Sequence, residues 1–393
     1  MFPVKGKKTL RLIPLLLVLI LMLSTACSKG SSSSHNDLLR LPIMTTLTAT
    51  DPHYTAQNAD FMLYTSLYES FYAVDSLGNM SPRLATGYDV SGDGLVYTYH
   101  LRSGVKWQTG GEFKASDALY SIARAQQSPY MAGNVAAIAG VEAPDELTVV
   151  FTLAGVSPTF HLDVCNVMML SEAATKDLAP GFTNEIPGGT GPYTLATWAP
   201  DQKTVISRNA DYYGDAAPIG TIEFNVFGDS TAALRAFEAG ELDWIMVPPA
   251  DWERISSSDK YKAYSEDTIT TIYVCMNNQV APFDNALVRQ AVNYAINRDD
   301  MLYAALDGAG RVASCIGNPL LVFGVPDKGE IFEYAYDPEK AKALLAEAGY
   351  AGGLTLEAPI LTMSSSEFSI PAQVLQEQLS KVGIAAEVQT MEQ

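Results

Sequence analysis

Apolar positions along this chain alternate between a period of two and a period of three to four, and the alternation marks out a mixed α/β order. Leu95, Tyr97, Tyr99 and Leu101 interleave with Val96, Thr98 and His100, a strand pattern that follows the turn Gly92-Asp93-Gly94. Leu147 to Leu153, Tyr193 to Trp198, Ile222 to Phe227, Leu242 to Ile245 and Ile269 to Met276 also read as strands. Ser116 to Gln127 has helical spacing, with Leu119, Ile122 and Ala123 on one side. Thr231 to Ala239 reads as a helix capped by Asp229 or Ser230 and stopped by Gly240. Leu287, Val288, Ala291, Val292, Ala295 and Ile296 form one broad apolar face behind a cap at Asp284. Asp337-Pro338 opens another helix, which carries Ala341, Leu344, Leu345 and Ala348 inward and ends at Gly349. The tail reads as strand Leu354–Leu361, helix Ile370–Lys381 and strand Ile384–Val388, an order that favours parallel pairing.

The N-terminus follows another rule. Lys5, Lys7, Lys8 and Arg11 precede an apolar run from Leu12 to Leu23. At about 12 residues the run is short for a span of about 20 but suits the core of a signal peptide. Leu23-Ser24-Thr25-Ala26-Cys27 resembles a lipobox, in which Cys27 is lipidated and becomes the first mature residue. Ser28 to Asn36 is polar and serine-rich and reads as a tether. The expectation is an extracytoplasmic protein held to the bacterial cell membrane by its lipid, with no further membrane span.

Composition narrows the partners. The 393 residues are too many for one ordinary core, so two lobes are expected. The formal net charge is -19, and removing the four cations of residues 1–26 leaves 21 basic against 44 acidic residues. Such a chain repels phosphate backbones, which argues against nucleic acid as a partner. His35, His53, His100 and His161 form no metal-ligand motif, and no metal or other cofactor is expected. Cys165, Cys275 and Cys315 have no chelating spacing and read as reduced core residues, although two of them could pair outside the cell. There is no Gly-x-Ser-x-Gly elbow and no His-Glu-x-x-His, so nothing points to an enzyme. Pro187 to Tyr193 is a dense turn signal, and without a following Gly-Lys-Ser/Thr it is not a phosphate loop.

Four segments carry a resemblance. They are Pro82-Arg83-Leu84-Ala85 running through Tyr97 to Trp107 and Ala115-Ser116-Asp117-Ala118; Gly189-Thr190-Gly191-Pro192-Tyr193 with Arg208 to Gly214; Phe283-Asp284 with Val288 to Arg298; and Tyr336 to Ala341 with Leu344 to Tyr350. In this order and spacing they resemble the bacterial extracellular solute-binding proteins of family 5, the oligopeptide, dipeptide and nickel receptors of ABC importers. The resemblance implies a two-lobed, periplasmic-binding-protein-like (type II) α/β fold with an extra small subdomain, closing over its ligand about a hinge. It places a first lobe over residues 38–268, with the subdomain near 55–180, and a second lobe over 269–393. It implies a monomer that captures short peptides between the lobes and delivers them to the permease.

The resemblance also marks candidate ligand contacts. Thr45, Thr46 and Thr48 lie on the loop Thr45 to Asp51, a candidate cleft wall, and Tyr273 and Asn277 lie on the strand entering the second lobe. Trp107 and Trp244 read as packing residues, and Arg289 and Arg298 as members of ion pairs. Family members run well beyond the position of Gln393, so the C-terminal part of the fold is expected to be missing and an open sheet edge to be left. A receptor for a nickel complex or another small solute is the alternative, as is a truncated remnant that does not bind.

Overall fold

Period-two stretches become strands where a neighbour completes their ladder of hydrogen bonds. The structure, a computed structural model, describes residues 37–75, 78–185, 187–266, 270–313, 315–317, 333–364 and 366–391. The chain runs through β1 (Leu38–Ile43), α1 (Asn58–Leu67), β2 (Tyr72–Val74), β3 (Met80–Pro82), β4 (Ala85–Val90), β5 (Val96–Leu101), α2 (Ala115–Gln127), β6 (Ile138–Asp145) and β7 (Thr148–Leu153). Then come α3 (Phe160–Cys165), α4 (Glu172–Thr175), β8 (Tyr193–Thr197), β9 (Lys203–Arg208), β10 (Thr221–Val226), α5 (Ser230–Glu238) and α6 (Trp252–Ser256). The C-terminal region holds α7 (Ala286–Ala295), α8 (Arg298–Leu306), α9 (Pro338–Glu347), β11 (Leu354–Thr355), β12 (Ile360–Met363), α10 (Ser366–Lys381), β13 (Ile384–Ala385) and β14 (Val388–Met391).

Two four-stranded sheets dominate the first 230 residues. One has the order β1-β10-β9-β8, with β1 parallel to β10 and the other pairs antiparallel. The other is antiparallel throughout, in the order β4-β5-β7-β6. Its apolar face joins α2 through Ala118, Ile122 and Ala125 in one cluster with Phe71, Tyr99, Phe151 and Phe160. Phe71 stacks on Tyr99 with ring centroids 4.8 Å apart. A separate cluster sets α1, through Leu63, Tyr64 and Leu67, against Ile43, Tyr193, Ile206 and Phe224 of the first sheet.

In the C-terminal region α7, α9 and α10 share a core of Val288, Ala291, Val292, Ala341, Leu345, Leu375 and Leu379. The parallel pairing expected from the strand–helix–strand order is present twice, as β11 with β13 and β12 with β14. Each expected long strand is broken in two, the first at Leu356 to Pro359, where proline has no N–H for a ladder. Helix α10 begins at Ser366, ahead of the expected Ile370, and runs through Pro371 without the bond that proline's missing N–H would have made.

The helix caps follow the sequence closely. Asp229 Oδ1 accepts from Ala232 N at 2.8 Å, and Asp337 Oδ1 from Lys340 N at 2.9 Å with Pro338 at the first helical position. For α7 the cap is Asn285, not Asp284: Asn285 Oδ1 accepts from Leu287 N at 2.9 Å, while Asp284 N is held by Val280 O in the preceding turn.

Other expectations are corrected. Residues 270–276 form no strand, and Ile269 lies outside the described residues. β-branched residues favour a strand only when a neighbouring ladder is there to pair with. Leu242 to Ile245 is likewise no strand, although Asp243 bonds to β1. Among the described residues Arg289 and Arg298 form none of the expected ion pairs. Arg289 Nη1 donates to the carbonyl of Phe283 at 2.6 Å, and Arg298 donates to Tyr334 O and Asn293 Oδ1. Of the three downstream cysteines only Cys165 is buried; Cys275 is exposed and Cys315 half-buried, and all are free. Among the described residues no helix is long and apolar enough to cross a membrane.

Candidate ligand-binding site

A parallel pair of strands brings two chain reversals to one end of a sheet, and ligands of open α/β sheets sit outside those carboxyl ends. β1 and β10 end in register at Ile43 and Val226, and Phe227 N donates to Ile43 O at 2.9 Å. From that end β1 feeds the long loop 44–57, and β10 feeds Gly228-Asp229 and the start of α5. A third segment runs along the open edge of β1. Asp243 N donates to Arg40 O at 3.0 Å, and Arg40 Nε and Nη2 donate to the Asp243 carboxylate at 2.9 and 2.8 Å. Trp244 and Met246 follow and are 49% and 76% exposed, so the packing role expected of Trp244 is not what the structure gives it. Trp107, 4% exposed, packs as expected and directs its indole N–H to Asp117.

The loop 44–57 has no regular structure, and its polar groups are held from inside. Asp60, fully buried on α1, accepts from Thr48 N at 2.9 Å, from Thr48 Oγ1 at 2.7 Å and from Thr55 Oγ1 at 2.6 Å. Tyr64 and Tyr68 hydroxyls donate to the carbonyls of Ala49 and Thr50 at 2.7 and 3.0 Å. Asp51, also fully buried, receives Arg124 of α2 on both oxygens, Gly181 N at 2.8 Å and His53 N at 3.0 Å. His53 Nε2 meets Met168 O at 2.7 Å, which makes Nε2 the protonated nitrogen and leaves Nδ1 a buried acceptor. Burial keeps this imidazole neutral and pulls its pKa down to about 4, with the Arg124 charge adding to the effect.

These contacts sort the sequence-derived candidates. Thr45 and Thr46 are half-buried on the loop, immediately past the strand end. Thr48 is exposed, yet its hydroxyl proton and its amide are both given to Asp60, so toward a ligand that hydroxyl can only accept. Tyr273 is 62% exposed, and Asn277 lies in a turn closed by its own Oδ1 accepting from Gln279 N at 3.1 Å. The hydrogen bonds of the loop reach α1, α2, Ser128, Met168 and residues 181–185, whereas those of Asn277 stay within its turn. Neither Tyr273 nor Asn277 lies on a strand as expected. Cys27 lies outside the described residues.

The glycine-rich turn is structural. Gly191 N donates to Leu67 O at 3.0 Å, and a Cβ on Gly189 or Gly191 would come within 1.9 or 2.7 Å of that oxygen. Gln108 Nε2 bonds Tyr193 O at 2.7 Å and its Oε1 accepts from Gly189 N at 3.2 Å. Beside the turn, buried Glu69 accepts from Thr190 Oγ1, Tyr212 Oη and Tyr213 Oη at 3.0, 2.8 and 3.0 Å. Burial raises the pKa of this carboxyl above the usual range even though all three donors oppose the shift. Asp60, Arg124 and Glu69 were not anticipated from sequence. A single charge inside an otherwise apolar stretch, as Asp60 is within Ala59 to Leu63, was the available signal.

A groove of about 410 Å³ lies between Lys106-Trp107-Gln108 and Thr194, Arg208 and Asn209. It sits at the end of the first sheet where β10 begins, since Thr221 pairs with Ser207, and so is opposite the end carrying loop 44–57. Among the described residues no group of three or more His, Cys, Asp or Glu is placed to hold a metal ion.

Comparison with known proteins agrees with the topology. Residues 79–393 match the family described as bacterial extracellular solute-binding proteins, family 5 Middle. A putative ABC transporter peptide-binding protein of Brucella ovis is 32% identical over 325 residues, 79% of this chain and 60% of that protein. Heme-binding protein A of Haemophilus influenzae is 29% identical over 344 residues, 80% of this chain and 62% of that protein. The chain therefore spans about 60% of the length of these curated relatives. Among solved structures, the periplasmic binding protein DppA of Helicobacter pylori in complex with the peptide STSA superposes with a TM-score of 0.79 at 26% identity, covering 90% of this chain and 74% of that one. The α/β architecture is that of the type II periplasmic binding proteins. The chain belongs to the bacterial extracellular solute-binding proteins of family 5.

Proposed function

We propose that this chain is the solute-binding part of an extracytoplasmic receptor for an ABC importer, that it captures short peptides, and that it passes them unchanged to a membrane permease. The carrying observation is the end-to-end register of parallel β1 and β10, which delivers loop 44–57 to the sheet end where such folds hold ligands. Thr45, Thr46 and Thr48 form one wall of the site; Tyr273 and Asn277 are offered as contacts from the other lobe. Residues 38–268 are read as the first lobe, with a subdomain near 55–180, and 269–393 as the second. Closure shields the ligand's hydrogen bonds from water, and the ligand favours closure by its extra affinity for the closed state. The protein works as a monomer, anchored through lipidated Cys27, and needs no cofactor. The putative peptide-binding relative in Brucella ovis and the peptide held by DppA support the peptide reading. The heme-binding relative keeps a second reading in view, a non-peptide solute such as a metal complex.

Isothermal titration of the folded mature chain with di-, tri- and tetra-alanine tests this. Saturable binding is expected. A folded sample that ignores all three but responds to a metal complex would transfer the assignment to the second reading.

A further inference from the structure

An irregular loop serves as a binding wall only if something fixes its shape beforehand, because a loop that orders on binding loses affinity to conformational entropy. Among the anchors of loop 44–57 that come from outside it, Arg124 is the cation. Its guanidinium comes from α2, which belongs to the body built on the antiparallel sheet, and it grips both carboxylate oxygens of Asp51. The Arg124 side chain is 10% exposed and that of Asp51 is 0%, so the pair is out of water. The guanidinium also lies over the rings of Tyr54 and Phe182, 5.0 and 5.5 Å from their centroids. Asp51 gathers Gly181 N and His53 N as well, so one carboxylate ties the loop to two other stretches of chain. Such a pair contributes little net stability once desolvation is counted, but it fixes geometry.

We propose that Arg124 is a positioning residue for ligand capture: by holding Asp51 it presets the Thr45–Thr48 wall, and so couples the subdomain helix to the site without touching the ligand. This rests on the functional reading above. Lysine keeps the charge but has neither the two-pronged donor geometry nor the flat guanidinium that lies over Tyr54 and Phe182.

The test is Arg124→Lys in the full chain, titrated with di-, tri- and tetra-alanine at a temperature where wild type and variant are both folded, with amide hydrogen exchange read on each free protein. The expected result is affinity weakened about tenfold, together with faster exchange confined to residues 45–57 and 181–185. If Arg124→Lys does not fold, Tyr54→Leu takes its place, keeping the ion pair and removing one stacking face, with about a threefold loss expected. A folded variant that binds as tightly as wild type, or one whose exchange rises uniformly, overturns the positioning role while wild-type binding keeps the functional reading intact. Wild type that binds none of the three peptides removes the functional reading and the positioning role with it.

Discussion

The loop end of the first sheet and the strand pairs of the C-terminal region treat their exposed surface in opposite ways. At the loop end, two fully buried carboxylates are satisfied by seven donors drawn from the loop itself, α2 and Gly181. Irregular backbone there is fixed by polar contacts, and the apolar side chains Leu47 and Ala49 are buried. In the C-terminal region β12 and β14 pack one face on α10 and leave Leu361, Met363 and Met391 at 59%, 43% and 49% exposure. Ile272, Tyr273 and Val274, expected to be part of a strand, are exposed as well. Parallel strands are ordinarily covered on both faces, so the β12–β14 pair is left with apolar surface in water; the loop end also exposes Met44, Trp244 and Met246, but its backbone is tied down by buried carboxylates. The difference is one of support: the wall of the proposed site is held by hydrogen bonds from α1, α2 and Gly181, whereas Tyr273 is 62% exposed and the side-chain bond of Asn277 stays within its own turn.

The largest effect is expected in the core of the antiparallel sheet, which carries α2 and so the Arg124 anchor of the loop. Phe71→Ala empties a position that touches both Tyr99 and Phe151, and should lower unfolding free energy by about 3–5 kcal/mol in urea melts. Next is the pH dependence contributed by His53. Its folded pKa lies below the free value, so the unfolded chain takes up the proton first. The resulting stability is complete above pH 6.5 and is lost as pH falls to about 4, a loss of about 3 kcal/mol. His53→Gln should flatten that part of the stability curve, read as the wild-type-minus-variant difference across the window. A variant curve parallel to wild type would show that His53 titrates freely.

On the open side, Leu361→Ser combined with Met363→Ser should change stability by no more than about 1 kcal/mol per site, because the two side chains are already 59% and 43% exposed. The same pair should reduce binding of a hydrophobic dye. A large loss of stability would mean that this face is covered in solution and that the contrast between the two regions is not real.

Much of this was legible in the sequence, for physical reasons that differ by element. Asp229 and Asp337 announce their helices because a cap is a local event, settled within four residues. The turn Gly188–Gly191 was visible as a turn, but its reason, the approach of Leu67 O, comes from a helix more than a hundred residues earlier. Residues 270–276 misled because strand propensity is realised only against a partner. The loop Thr45–Thr48 was singled out as a candidate through family resemblance, while its supports, Asp60 and Arg124, are single charges whose burial depends on elements far apart in sequence. The placement of Trp244, next to a segment held along β1 by Asp243, was not readable from its apolar neighbours.

In the proposed site the ligand sits at the carboxyl ends of β1 and β10 against loop 44–57. Hydrogen exchange of the full chain with and without saturating tri-alanine tests it most directly. Added protection is expected at residues 44–48 and 227–230. Protection confined to residues 106–111 and 208–211, the groove at the opposite end of the sheet, would contradict it.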